Sequence, residues 1–220
     1  MPEEGQAPSV TVHVFGLTGG LASGKSVVAA RFVRRGLPVV NADQLAREVV
    51  VPGSDGLAAV VAAFGPAVLG EGGALDRKAL GKRVFSDPEA RRRLEAITHP
   101  RIQAAKRARM AELERLGEPL ACYEVPLLVE VGLTEELRPV VVVAATEAHQ
   151  IERAMRRDGM SEADARARLN AQLPLARKIA VADFVIRNDG SLGAAESEAD
   201  RVLAAICSQF GVPGERYPRP

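Results

Sequence analysis

Gly19-Gly20-Leu21-Ala22-Ser23-Gly24-Lys25-Ser26 fits the pattern G-x-x-x-x-G-K-S/T in full. The residue types explain the chemistry. Glycines let the backbone curl so that successive N–H groups point inward, and a helix that starts there adds the positive end of its dipole. Lys25 is the residue to reach the β- and γ-phosphates, and the Ser26 hydroxyl is the ligand for Mg²⁺. An alternating strand-like run, Thr11–Phe15, comes before the motif, and Val27, Val28, Phe32 and Val33 follow with helical spacing. A plain glycine turn needs none of this context. The stretch therefore reads as a site for a nucleoside triphosphate.

Four further places carry residues suited to work on phosphate. Asp43 lies just past the short apolar run Leu37–Asn41, at the edge of a doubly wound sheet where ligands bind. A carboxylate there accepts a proton from an attacking hydroxyl or holds Mg²⁺ through water. It is equally suited to cap the helical pattern QLAREVV, and the two roles are compatible. His99-Pro100-Arg101 marks a helix break rich in basic residues, open to phosphate or pyrophosphate or simply solvated. Glu124 ends an apolar run where P-loop proteins place a metal-supporting carboxylate, and Glu130 beyond it reads as a weaker candidate or a surface residue. Finally, Arg153, Arg156, Arg157, Arg166, Arg168 and Arg177, with Lys178, lie on a helical segment able to close over transferring phosphates. Arg153 and Arg157 share one helix face, and most of the others read as ordinary surface charges. The loop Asn188-Asp189-Gly190 either reaches the adenine edge through Asn188 or is a simple turn.

The elements that must position these groups alternate strand and helix. Strands are expected at Leu37–Asn41, Leu120–Glu124, Val140–Ala145 and Phe184–Ile186, the third uniformly apolar as in a parallel sheet buried on both faces. The expected class is α/β, a three-layer P-loop fold with a parallel sheet. Residues 57–116 break the alternation and read as a helical substrate-binding insertion, with Asp76 and Ser86-Asp87-Pro88 opening two helices and His99-Pro100 interrupting a third. Residues of about 150–178 read as a helical lid, opened in part by a capping-box pattern at Ser161. The core then comprises residues of about 10–56, 117–149 and 179–210, with loose ends over 1–9 and 211–220.

Composition excludes several classes. The 220 residues carry 29 basic and 28 acidic side chains, so no global field favours nucleic acid or an anionic membrane. Trp is absent and aromatics are 4%, which leaves no stacking platform for single strands. Cys122 and Cys207 form no metal-binding pattern and read as buried thiols of a reducing compartment. The polar opening MPEEGQAPSV has no signal-peptide core, and Val140–Ala145 is too short to cross a bilayer.

Taken in order, GLTGGLASGKS, VVNADQLAR, ITHPRI, VPLLVE, RAMRRDGMSEADARARLNAQ and ADFVIRNDG resemble dephospho-coenzyme A kinases over residues of about 12–210. The resemblance implies transfer of the γ-phosphate of ATP to the ribose 3′-hydroxyl of dephospho-coenzyme A, with Mg²⁺. It makes Ala22–Val27 the phosphate loop, Asp43 the catalytic carboxylate, and His99 with Arg101 part of the dephospho-coenzyme A surface. On the residues themselves, Lys25 and a lid arginine, Arg153 or Arg157 first, support transfer, and Glu124 and Leu128 are further candidates for the acceptor beside Asp43. Asn41 stands where that family often has Asp, Ala22 and Val27 replace Gly and Thr, and Glu124 stands where Asp is common. The expected partners are two small molecules, ATP and dephospho-coenzyme A, for a cytoplasmic monomer without nucleic acid or membrane. Rival readings are another small-molecule or nucleotide kinase, a hydrolysing switch, and a non-catalytic ATP-binding module. Against a switch, Val140–Ala145 is followed by Thr146 and not by an Asp-Glu pair.

Overall fold

Uninterrupted apolar runs form the strands, and mixed runs with capping residues form the helices. The computed structural model describes residues 11–218. The expected loose leader over residues 1–9, and the last two residues of the tail, lie outside the described residues. In chain order the elements are β1 (His13–Gly19), α1 (Lys25–Arg34), β2 (Val39–Asn41), α2 (Ala42–Glu48), α3 (Asp55–Phe64), α4 (Arg77–Ser86) and α5 (Pro88–Arg115). After these come β3 (Leu120–Glu124), β4 (Val140–Ala144), α6 (Glu147–Asp158), α7 (Glu162–Asn170), α8 (Leu175–Ala180), β5 (Phe184–Arg187) and α9 (Leu192–Gln209).

One sheet has the order β2-β3-β1-β4-β5. β1 runs parallel to both β3 and β4, with Leu17 opposite Glu124 and Gly19 opposite Val143. β5 continues the sheet in parallel beside β4. Every residue of β3 and β4 is buried, which is why these strands show no polar alternation. Phe15, Leu17, Val141 and Val143 join Val28 and Phe32 of α1 and Val202, Leu203 and Ile206 of α9 in the main core.

The chain divides into two compact units, Asn41–Glu112 and the rest. The helical unit starts earlier than the expected insertion. The reason is packing: Val49 and Val50, at and just past the end of α2, join Leu57, Val60, Val68 and Leu80 in a cluster of their own. Asp76 caps α4 as expected, accepting from the N–H groups of Lys78 and Ala79 at 2.9 Å. Asp87 does the same for α5.

Two expectations need correction. No break occurs at His99-Pro100, because α5 runs unbroken for 28 residues with Pro100 inside. Proline removes one N–H and crowds the preceding turn. Around it, Thr98 Oγ1 donates to the Leu94 carbonyl at 2.9 Å and Arg101 Nη1 to the Ile97 carbonyl at 2.7 Å. Nor does the tail fray, since Val212 and Tyr217 are buried in the main core. The Tyr217 hydroxyl donates to the Leu120 carbonyl at 3.2 Å, and Arg35 Nε donates to the carbonyl of Tyr217 at 3.0 Å.

Candidate active site

The glycine-rich loop leaves β1 at Gly19 and enters α1 at Lys25. Gly24 precedes α1 with φ 95°, and a Cβ there would lie 1.9 Å from Nδ2 of Asn188. Only glycine satisfies both the conformation and the approach. Asn188 is itself buried, and its Nδ2 donates to the carbonyl of Ser23 at 2.9 Å. The side chain expected to touch a nucleotide thus braces the loop that would hold one. Ala22 adopts φ 48°, a left-handed conformation that glycine would take without strain. Together with Leu21 it packs against Ile151, Ala154 and Ala165. The Lys25 ammonium lies 3.2 Å from the carbonyl oxygens of both Gly19 and Gly20. Ser26 is exposed in the first turn of α1, and Val27 beside it is half-buried. Among the described residues no group of three or more His, Cys, Asp or Glu is arranged to hold a metal. The exposed Ser26 hydroxyl fits Mg²⁺, which takes few protein ligands and completes its shell with phosphate and water.

The lid segment separates its cations clearly. Arg157 is held by Asp158 at 2.7 Å, Arg156 lies 3.6 Å from Glu152, and Arg166 bonds Glu162 and Glu147. Arg153 instead has a buried Nη1 with no hydrogen-bond partner. Lys178 is not a surface charge. It is fully buried, with Nζ 2.7 Å from Glu130, because that carboxylate turns inward and also accepts the Leu173 N–H at 3.2 Å.

Asp189 belongs to more than a simple turn. Its carboxylate accepts the Thr146 N–H at 2.6 Å and lies 2.9 Å from Nδ1 of His149, so it ties the loop after β5 to the start of α6. The Thr146 N–H, followed by the His149 side chain, holds the Asp189 carboxyl below the usual carboxylate range.

Asp43 stands in the first turn of α2, exposed. It is not the cap: Asn41 has that role, its Oδ1 accepting the Gln44 N–H at 2.9 Å. Asparagine at the departing position keeps the acceptor oxygen that a cap needs, and Asp43 is released from the task. Glu124 is buried at the end of β3, two residues before Pro126. Leu128 is completely buried and packs on the bare backbone of Gly16. His99 is exposed on α5, and Arg101 is engaged by Asp55 at 3.2 Å. Lys106 of α5 is buried.

Pattern reading missed Gln150, and its signal was only a polar residue at an apolar position of α6. Gln150 is 2% exposed, its Nε2 has no partner, and a Cβ on Gly20 would come 2.4 Å from that atom. Gly20, Ala145 and Gln150 share a cavity of about 290 Å³ with Gln172, Leu173 and Leu175.

A parallel sheet with a glycine loop cradled between its first strand and first helix defines a P-loop kinase fold. The family model for dephospho-CoA kinase matches residues 13–194, and the chain belongs to that family. It is 55% identical to the dephospho-CoA kinase of Anaeromyxobacter dehalogenans, over 94% of this chain and 97% of that one. Identity to the Geobacter sulfurreducens dephospho-CoA kinase is 46%, over 88% and 98% of the two chains. Among solved structures, TT1252 from Thermus thermophilus superposes with a TM-score of 0.74 at 37% identity, covering 90% and 97%. The dephospho-CoA kinase from Campylobacter jejuni gives 0.67 at 30% identity, covering 89% and 98%. No helix among the described residues is long and apolar enough to cross a membrane.

Proposed function

We propose that the chain transfers the γ-phosphoryl group of ATP to the ribose 3′-hydroxyl of dephospho-coenzyme A. The observation that carries this reading is the braced phosphate loop, Gly19–Ser26, in a chain of this family. Lys25 exchanges the carbonyl oxygens of Gly19 and Gly20 for phosphate oxygens when nucleotide binds. The loop amides and Arg153 hold the phosphoryl group in line and offset its charge. Asp43 orients the acceptor hydroxyl and takes its proton as the bond from phosphorus to the ADP oxygen breaks and the bond to the 3′-oxygen forms. Ser26 would hold Mg²⁺, which when bound would neutralise phosphate charge, and the Glu124 carboxylate would support that site. His99 and Arg101 contribute to acceptor binding in the helical unit. Asn188 acts on the nucleotide through Ser23 and Gly24.

The test is turnover of ATP with Mg²⁺ and dephospho-coenzyme A, with the product's mass and phosphate position determined. A 3′-phosphorylated product, and little ATP consumed without acceptor, is the expected result. Asp43→Asn should lower kcat by about 100-fold or more while ATP affinity stays within twofold. Near-normal turnover would remove Asp43 from the chemistry.

A further inference from the structure

Buried groups that lack partners mark places where a ligand completes the hydrogen bonding. Two such groups stand on one face of α6. Gln150 and Arg153 are three residues apart, one helical turn, and each keeps a buried N–H group without an acceptor, Nε2 and Nη1 respectively. A polar side chain 2% exposed and unsatisfied is unfavourable in the protein alone.

The position of Gln150 says what it awaits. Its carboxamide covers the Cα of Gly20 so closely that any side chain there would collide with Nε2. The carbonyl of the same glycine carries the Lys25 ammonium at 3.2 Å. A neutral N–H donor, an ammonium and a guanidinium therefore belong to one loop and the helix beside it. Donors of this kind call for an anionic oxygen.

We propose that Gln150 is a catalytic residue whose Nε2–H donates to an oxygen of the phosphoryl group in transfer. The inference rests on the phosphate-binding reading of Gly19–Ser26. As charge builds on the equatorial oxygens, a donor already fixed by burial needs no reorganisation. Gln150 adds a directional donor without a further positive charge beside Lys25 and Arg153.

The test compares wild type with Gln150→Leu, which fills a similar volume without a donor. Gln150→Met is the second variant, keeping the unbranched chain. Affinity for Mg²⁺–ADP is measured with and without fluoroaluminate, an analogue of the phosphoryl group in flight. Both variants should bind Mg²⁺–ADP within twofold of wild type, lose at least tenfold in fluoroaluminate complex affinity, and fall about 100-fold in kcat. Because the substitutions remove a buried unsatisfied group, both should melt at or above the wild-type temperature, which a structural prop would not do. Analogue binding and kcat within twofold of wild type would overturn the proposal, as would loss of fold in both variants. Wild-type protein that transfers nothing to dephospho-coenzyme A would defeat the acceptor assignment alone. The fluoroaluminate comparison still decides the role of Gln150.

Discussion

In the sheet unit, Phe15, Leu17, Val141, Val143 and Ile206 are wholly buried within one large cluster. In the helical unit, Val50, Leu57, Val60, Val68 and Leu80 form a small cluster ringed by half-buried Val61, Phe64, Leu94 and Ile97. One buried charge cluster belongs to the sheet unit. Arg31 grips Asp200 through two hydrogen bonds, at 2.9 and 2.7 Å, and the buried Arg35 reaches the same carboxylate at 3.3 Å. On α5 the pairs are exposed and loose, as with Arg91 and Glu95 at 3.9 Å. Phosphate needs donors fixed to a fraction of an ångström, and the unit that carries the loop has the deep core that fixes them. A helical unit with a thin core opens locally at lower free energy.

The comparison is most exposed to failure at Asp200. Asp200→Ala leaves Arg31 without its carboxylate and removes one partner of Arg35, which keeps the Tyr217 carbonyl; it should destabilise the protein by about 3 kcal/mol in thermal or denaturant unfolding. A loss below about 1 kcal/mol would end the claim that charge is structural in the sheet unit. Leu80→Ala should cost about 2–3 kcal/mol, from the leucine-to-alanine range for buried positions. Its signature is faster amide exchange confined to residues 41–112, with ATP affinity unchanged. Exchange rising equally throughout the chain would show that the two units do not open separately.

Capping and surface charge sharpen the contrast at lower amplitude. Asn41→Ala removes the α2 cap and should cost about 1 kcal/mol, while Asn41→Asp should restore most of it. Glu95→Gln breaks an exposed pair on α5 and should shift stability by less than about 0.5 kcal/mol. A larger effect would give the helical unit's surface an energetic weight comparable to a cap.

Much of the sheet unit was legible because its signals are local. The Gly-Lys-Ser loop, the unbroken Val140–Val143 run and the capping residues each act within a few positions of themselves. The less legible features depend on partners distant in sequence. Pro100 breaks a helix by rule, yet α5 passes through it with Thr98 and Arg101 bonded to carbonyls of the adjacent turns. Leu128 read as part of a motif, but the bare backbone of Gly16 gives it a place in the core. Lys178 looked like one more lid cation until Glu130, 48 residues earlier, claimed it. Asn188 suggested nucleotide contact, and it braces Ser23, 165 residues away. Gln150 had no motif at all.

The docked tail bears on how such a chain comes into being. A ribosome makes Arg35 182 residues before Tyr217, whose carbonyl receives its guanidinium. Until then Arg35 lacks that partner, and the flank of α1, the helix that begins at Lys25, lacks Tyr217 and Val212. Synthesis order and structural order therefore run in opposite directions at this point, although domains generally fold from the amino end. Full packing around the helix that opens at the phosphate loop thus waits on residues translated long after the loop itself.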